Sequence, residues 1–254
     1  MAKIISVVNQ KGGVGKTTTT VNLSACLEQQ GKKVLLIDLD PQGNATSGLG
    51  IDTEELESTV YQVLIGEITM EESVVQTEFG ELYLSPSDIQ LAGAEIELVS
   101  MEKREFMLKN ALKDAQNQYD YILIDCPPSL NLMTVNALVA SDSVLIPVQC
   151  EYYALEGLSR LMQTVKSIKK QLNETLEIEG ILLTMYDSRT NLSMMVAEEV
   201  KQFFPKKVYQ TVIPRNVRLS EAPSYGQPII AYDPYSRGSE SYTALAEEVI
   251  NNNK

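Results

Sequence analysis

The chain has 254 residues, 44% of them hydrophobic, with 21 Lys/Arg against 34 Asp/Glu and no histidine. That length buries a sizeable core, and no linker, repeat or low-complexity tract divides it, so a single domain over 1–254 is expected. No apolar run reaches the roughly 18 residues of a membrane span, the start is too short for a secretion signal, and any hydrolysis must use carboxylates, lysines, backbone and metal, which suits phosphoryl transfer.

Residues 3–8 (Lys-Ile-Ile-Ser-Val-Val) read as a short buried strand. The glycines at 12, 13 and 15 follow at once, and residues 17–29 carry a helical pattern through Val21, Leu23, Ala25, Cys26 and Leu27. Strand, glycine loop and helix are the context a phosphate-binding loop needs. Glycines let backbone N–H groups turn onto phosphate, and the helix N-terminus adds partial positive charge. Gly15, Lys16 and Thr17 form the Gly-Lys-Thr end of that loop. Lys16 is expected on the β/γ-phosphates and the Thr17 hydroxyl on Mg²⁺. The general pattern asks for glycine five positions before Gly15; here Gln10 stands there, and a second lysine, Lys11, follows it.

Residues 33–38 (Lys-Val-Leu-Leu-Ile-Asp) form a second predicted strand, ending in Asp38-Leu-Asp40-Pro41-Gln42-Gly43-Asn44. Acids at a strand's C-terminal end sit where α/β sheets bind ligands. Asp40 is the candidate for positioning the attacking water, and Asp38 for the Mg²⁺ shell. The region 52–115 is less regular, mostly helical with a short strand near 82–84. Residues 120–125 (Asp-Tyr-Ile-Leu-Ile-Asp) are a third apolar strand closed by an acid, the Walker-B arrangement that assigns Asp125 to Mg²⁺. Strands at 143–148, 178–184 and 208–213 follow, with helical patterns at 154–172 and 192–203 between them. Strands alternating with helices predict an α/β fold: a doubly wound, mostly parallel sheet flanked by helices.

The three cysteines, Cys26, Cys126 and Cys150, are widely spaced and make neither a metal pattern nor a disulfide framework; they read as buried small hydrophobes. Charge is uneven. Residues 160–218 hold ten Lys/Arg and six Asp/Glu, whereas the rest of the chain is strongly acidic. An acidic body with a basic C-terminal third is compatible with one DNA-facing surface. No aromatic-rich basic stretch or recognition helix is evident, so such contacts would be to phosphate and carry no sequence information.

With these residues in hand, the chain resembles the ParA/Soj family of chromosome-partitioning ATPases, a branch with a deviant phosphate loop, over nearly its whole length. The resemblance rests on Lys11-Gly-Gly-Val-Gly-Lys-Thr-Thr18, Asp38-Leu-Asp-Pro-Gln-Gly-Asn44 and Asp125-Cys-Pro-Pro128. It rests also on Pro147-Val-Gln-Cys-Glu-Tyr-Tyr-Ala-Leu-Glu-Gly157 and Ile213-Pro-Arg-Asn-Val-Arg-Leu-Ser-Glu-Ala-Pro223, which are specific to the group. It implies that ATP closes two monomers face to face around two nucleotides, with Lys11 of each reaching phosphate in the other. The closed homodimer binds double-stranded DNA without sequence preference, and a ParB-type centromere-binding partner stimulates hydrolysis and releases it. A cytoplasmic, nucleoid-associated protein with no membrane attachment is implied.

Carried onto this chain, the resemblance places nucleotide on Lys11, Gly12, Gly13, Val14, Gly15, Lys16, Thr17 and Thr18, with Lys16 and Thr18 on phosphate and Thr17 on Mg²⁺. Lys11, Lys16 and Asp40 serve hydrolysis, and Asp125 is the Walker-B acid. Pro214 and Asn216 lie where the family contacts adenine. Arg189 and Arg218 lie where it contacts DNA, with Arg215, Lys206 and Lys207 as lesser candidates. Three rivals share the loop. A MinD-type membrane ATPase needs a basic amphipathic C-terminal helix, but residues 245–254 are acidic, then polar. A nitrogenase-type iron protein needs cysteine pairs at the subunit interface, and that pattern is missing. A metabolic ligase of the dethiobiotin synthetase type is separated by an ATP-dependent DNA shift assay.

Overall fold

The first β-branched run becomes strand β1 (Lys3–Val7), with four of its five residues buried. In the computed structural model, which describes residues 1–253, it lies inside an eight-stranded sheet. The other strands are β2 (Val34–Asp38), β3 (Val75–Gln76), β4 (Leu82–Ser85), β5 (Tyr121–Asp125), β6 (Ser143–Gln149), β7 (Glu177–Tyr186) and β8 (Val208–Pro214). Their order is β3-β4-β2-β5-β1-β6-β7-β8. All neighbours are parallel except β3 and β4. The expected doubly wound, mostly parallel α/β sheet is therefore present. Strands β2 to β5 lie on one side of central β1 and β6 to β8 on the other, so the strand order reverses at β1 and the ligand crevice is expected at the strands' C-terminal ends there.

Strand alternation divides the core between two faces. On β5, Ile122 and Ile124 enter one apolar cluster with Leu35, Ile37, Val144 and Leu161. Tyr121 and Leu123 enter the other with Ile5, Val7, Leu36 and Leu145. Burial on both faces explains the continuous apolar runs of β2, β5 and β6. The helix Lys16–Gln29 covers the second face beside the helix Arg237–Asn252, which buries Tyr242, Leu245, Ala246 and Val249 there.

The predicted strands and long helices recur with ends shifted by one or two residues. The antiparallel edge strand β3 was not expected: two residues are too few to show an alternating pattern. All three cysteines are buried and unbridged.

Candidate nucleotide site and basic surface

The loop after β1 is held from below by two buried side chains. Asn9 donates its amide to the Pro147 carbonyl at 2.7 Å and accepts the Lys11 N–H at 3.0 Å. Thr184, at the end of β7, donates its hydroxyl to the Val14 carbonyl at 2.8 Å. Gly13 and Gly15 have φ of 71° and 87°, left-handed values that glycine adopts without penalty. Gly15 caps the helix Lys16–Gln29, so the loop's backbone donors and the helix N-terminus face one cavity.

The two lysines of the loop are placed differently. Lys16 is only 7% exposed, and its ammonium donates to the Lys11 carbonyl at 3.3 Å. Burial lowers its pKa, opposed first by the nearby Asp125 carboxylate. The Lys11 side chain is 41% exposed and turns away to Glu151, 3.2 Å from its carboxylate.

Asp38 and Asp125 are register partners at the C-terminal ends of adjacent strands β2 and β5. Both are fully buried. Asp125 accepts the Thr17 hydroxyl at 2.7 Å and the Thr20 hydroxyl at 3.0 Å. Its pKa is raised, first by burial and then by the Asp38 charge, while the two hydroxyls pull it down. Asp38 is raised too, chiefly by burial. Its carboxylate accepts Asp40 N–H at 3.1 Å, Thr46 N–H at 2.9 Å and the Thr46 hydroxyl at 2.8 Å. The Thr46 hydroxyl in turn accepts the Ser87 N–H at 3.0 Å. Asp38 thereby fixes the loop that carries Asp40. Asp40 accepts the Gln42 N–H at 3.0 Å and lines a cavity of about 380 Å³ with Gly12, Gly13, Gly15, Lys16, Thr17 and Thr18. The Thr17 and Asp125 oxygens are hard donors side by side, and they fit Mg²⁺, which takes a few protein oxygens and keeps its waters.

A second cavity of about 350 Å³ adjoins the first and contains Pro214, Arg215, Asn216, Ile213, Leu219 and Tyr242 in its wall. Gly15, Thr18 and Met185 line both cavities. The tertiary structure thus brings Gly12, Gly13, Gly15, Lys16, Thr17, Thr18, Asp40, Pro214 and Asn216 to two adjoining cavities, with Asp125 buried behind Thr17 and Lys11 turned away to Glu151. Asn9, Thr20, Thr46, Thr184 and Met185 were not singled out from sequence. Their roles depend on partners distant in the chain or on backbone conformation, and no local motif marks them.

Arg189 stands on the loop after β7, Arg215 directly after β8, and Arg218 on the short helix Val217–Glu221 that follows. Arg189 forms a two-pronged pair with Asp187 at 2.9 and 2.8 Å. That pairing holds the Asp187 carboxyl down at about 2. Arg218 bonds Glu221 at 2.9 Å and lies 3.4 Å from Asp233. The basic third is consequently less bare than its sequence suggests: Arg160 and Lys169 are paired as well, with Glu156 and Glu177.

The AAA domain family matches residues 2–178. The sporulation initiation inhibitor protein Soj of Bacillus subtilis is 62% identical over 252 residues, covering 99% of this chain and 100% of the relative. The chromosome partitioning protein ParA of Myxococcus xanthus is 54% identical, covering 98% of this chain and 88% of its own length. Among solved structures, a cobyrinic acid a,c-diamide synthase from Mycobacterium smegmatis with bound ADP and magnesium superimposes with a TM-score of 0.87 at 37% identity, over 99% of this chain and 95% of that one. Identity above one half along almost the entire chain leads to one conclusion: the chain belongs to the ParA/Soj family of chromosome-partitioning proteins.

Proposed function

We propose that this protein is a Mg²⁺-dependent ATPase that moves DNA: ATP drives face-to-face pairing of two copies, the pair binds double-stranded DNA without sequence preference, and hydrolysis, stimulated by a ParB-type partner, releases it. The observation that carries this reading is the opposite placement of the two loop lysines, Lys16 buried inside the phosphate cavity and Lys11 exposed at its rim. One lysine serves the nucleotide of its own chain; the other is free to reach a second copy.

In this scheme the loop N–H groups, Lys16 and Thr18 hold the phosphates. Thr17 and Asp125 would hold Mg²⁺, which would supply positive charge against the phosphates. Asp40 orients the attacking water, and Asp38 acts on it indirectly by pinning its loop to Thr46. Pro214 and Asn216 hold the base. Lys11 of the facing copy adds positive charge where the transition state gathers negative charge. Arg189, Arg218 and the lesser Arg215, Lys206 and Lys207 contact DNA phosphates, so binding weakens steeply with salt. Pairing doubles that patch and raises effective concentration without new contacts. Such a protein works in the cytoplasm, on the nucleoid.

Among the described residues no helix is long and apolar enough to cross a membrane, and the helix Arg237–Asn252 buries Tyr242, Leu245, Ala246 and Val249 in the core.

The test is DNA binding with no nucleotide, ADP, ATP and a slowly hydrolysed analogue, with oligomeric state read in parallel. ATP and the analogue should each produce a dimer and a DNA shift. A protein that binds ATP but never shifts DNA overturns the DNA-binding reading and favours the alternative, a metabolic ligase of the dethiobiotin synthetase type.

A further inference from the structure

Two non-glycine residues among those described have positive φ, Lys103 at 56° and Met185 at 49°. Lys103 is exposed, at the start of a single turn of helix. Met185 is half-buried in the nucleotide crevice. Left-handed backbone crowds the Cβ of an L-residue, and glycine adopts it freely. A side chain kept in such a conformation is held there by its surroundings, and such residues cluster at functional sites.

The surroundings of Met185 hold it from both sides. Its predecessor Thr184 donates to the Val14 carbonyl of the phosphate loop at 2.8 Å. Its successor Tyr186 accepts the Arg215 N–H at 3.1 Å, from the segment that walls the base cavity. Three consecutive residues therefore tie the phosphate subsite to the base subsite, and the middle one lines both. A nucleotide with phosphates on the loop and base beside Pro214 must pass its sugar across that seam. Glycine would fit the backbone better, so the thioether side chain has a use there. It is unbranched, apolar and polarisable, and it packs against carbon without bonding hydroxyls.

Resting on the nucleotide-site reading above, we propose that Met185 is the nucleoside-seating residue: its left-handed backbone, clamped through Thr184 and Tyr186, presents the side chain to the sugar between phosphate and base. Met185 contributes to affinity for nucleotides, not for phosphate chains, and does not distinguish ribose from 2′-deoxyribose.

The experiment measures binding of ATP, dATP and inorganic triphosphate, each with Mg²⁺, to the full chain and to Met185→Gly, Met185→Leu and Lys16→Ala, with Tm for each. Met185→Gly should weaken ATP and dATP alike, by about tenfold, and leave triphosphate within about twofold. Its Tm should hold or rise, because glycine removes the backbone strain. Met185→Leu, which keeps apolar bulk, should stay within about threefold of the parent for all three. The proposal is overturned if Met185→Gly loses triphosphate as much as ATP, if it binds ATP as the parent does, or if its Tm falls by several degrees, which marks Met185 as packing only. The underlying reading fails separately: Lys16→Ala must lose ATP and triphosphate together, and if it binds both normally the phosphate site lies elsewhere.

Discussion

The Lys11 ammonium lies 3.2 Å from the Glu151 carboxylate of its own chain, across 140 residues of sequence. Gln149 donates to the other Glu151 oxygen and fixes the carboxylate in place. The pair is 41% and 45% exposed, and exposed pairs contribute only about 0–1 kcal/mol. The contact therefore parks Lys11 at the rim of the site without holding it there. In the proposed pairing, moving it onto a partner's phosphate would break a weak pair and make a stronger, charge-assisted one. Glu151 lies in the segment 147–157, so one motif residue of that segment meets another in the phosphate loop.

Lys11→Ala tests this placement. The variant should bind ATP within about twofold of the parent, since one exposed pair is all it loses in the monomer. ATP-dependent dimerisation, hydrolysis or both should disappear. Light scattering with ATP, beside a phosphate-release assay, decides: normal pairing and turnover would reduce Lys11 to a surface lysine.

Asp40→Ala should uncouple binding from hydrolysis. Asp40 lines the cavity beside the glycine loop, and its carboxylate accepts only the Gln42 N–H, so truncating that side chain should leave the loop and Asp125 in place. The variant should form an ATP-bound dimer that stays on DNA, with turnover reduced by about 100-fold or more. A normal rate refutes the role.

Arg189→Glu and Arg218→Glu should leave ATP-driven dimerisation unchanged and weaken DNA binding about tenfold or more, with a shallower dependence on log salt as phosphate contacts are lost. Each arginine must exchange a carboxylate, Asp187 or Glu221, for a phosphate. The exchange should cost little for Arg218, whose pair with Glu221 is exposed, and more for Arg189, whose two-pronged partner Asp187 is 19% exposed. Equal DNA affinity of variant and parent across a salt series would move the DNA surface elsewhere.

Asp125→Asn should raise the stability of the Mg²⁺-free protein while destroying Mg²⁺-dependent ATP binding. Burial and the neighbouring Asp38 raise the Asp125 pKa above its ordinary 3.8. The folded chain thus holds that proton more tightly than the unfolded chain. The associated stability is fully present below about pH 4 and is lost as pH rises through the elevated folded value. Removing the charge should recover about 1–3 kcal/mol near neutrality, seen as a Tm difference between variant and parent that widens as pH rises from 4 toward 8. A difference that stays flat with pH contradicts this account.

Much of this molecule is written locally. The apolar runs at 3–8, 33–38 and 120–125, each about strand length and flanked by turn or charged residues, specify buried parallel strands because burial on both faces demands it. The glycine spacing before Lys16 specifies a loop whose N–H groups converge. The acids closing β2 and β5 follow from the strand ends, so the glycine loop and the acids beside it were legible residue by residue. Pro214 and Asn216, in the wall of the adjoining cavity, were singled out only through family resemblance, since they have no chemistry of their own that names a ligand.

Tertiary structure decided what depends on meetings across the chain. Asp38, expected from its strand-end position to face a metal, has its carboxylate bonded to Asp40 and Thr46, which are close in sequence but arranged by a loop that Ser87 helps to hold. The charge count of the basic third was readable, but its pairing with Asp187, Glu221 and Asp233 was not. Neither the Lys11–Glu151 pair nor the backbone of Met185 has a local signature. The physical reason is common to all of them: propensity and hydrophobic period act over a few neighbouring residues, whereas a buried hydrogen bond, an ion pair or a strained φ is set by whichever distant segment the packed sheet brings alongside.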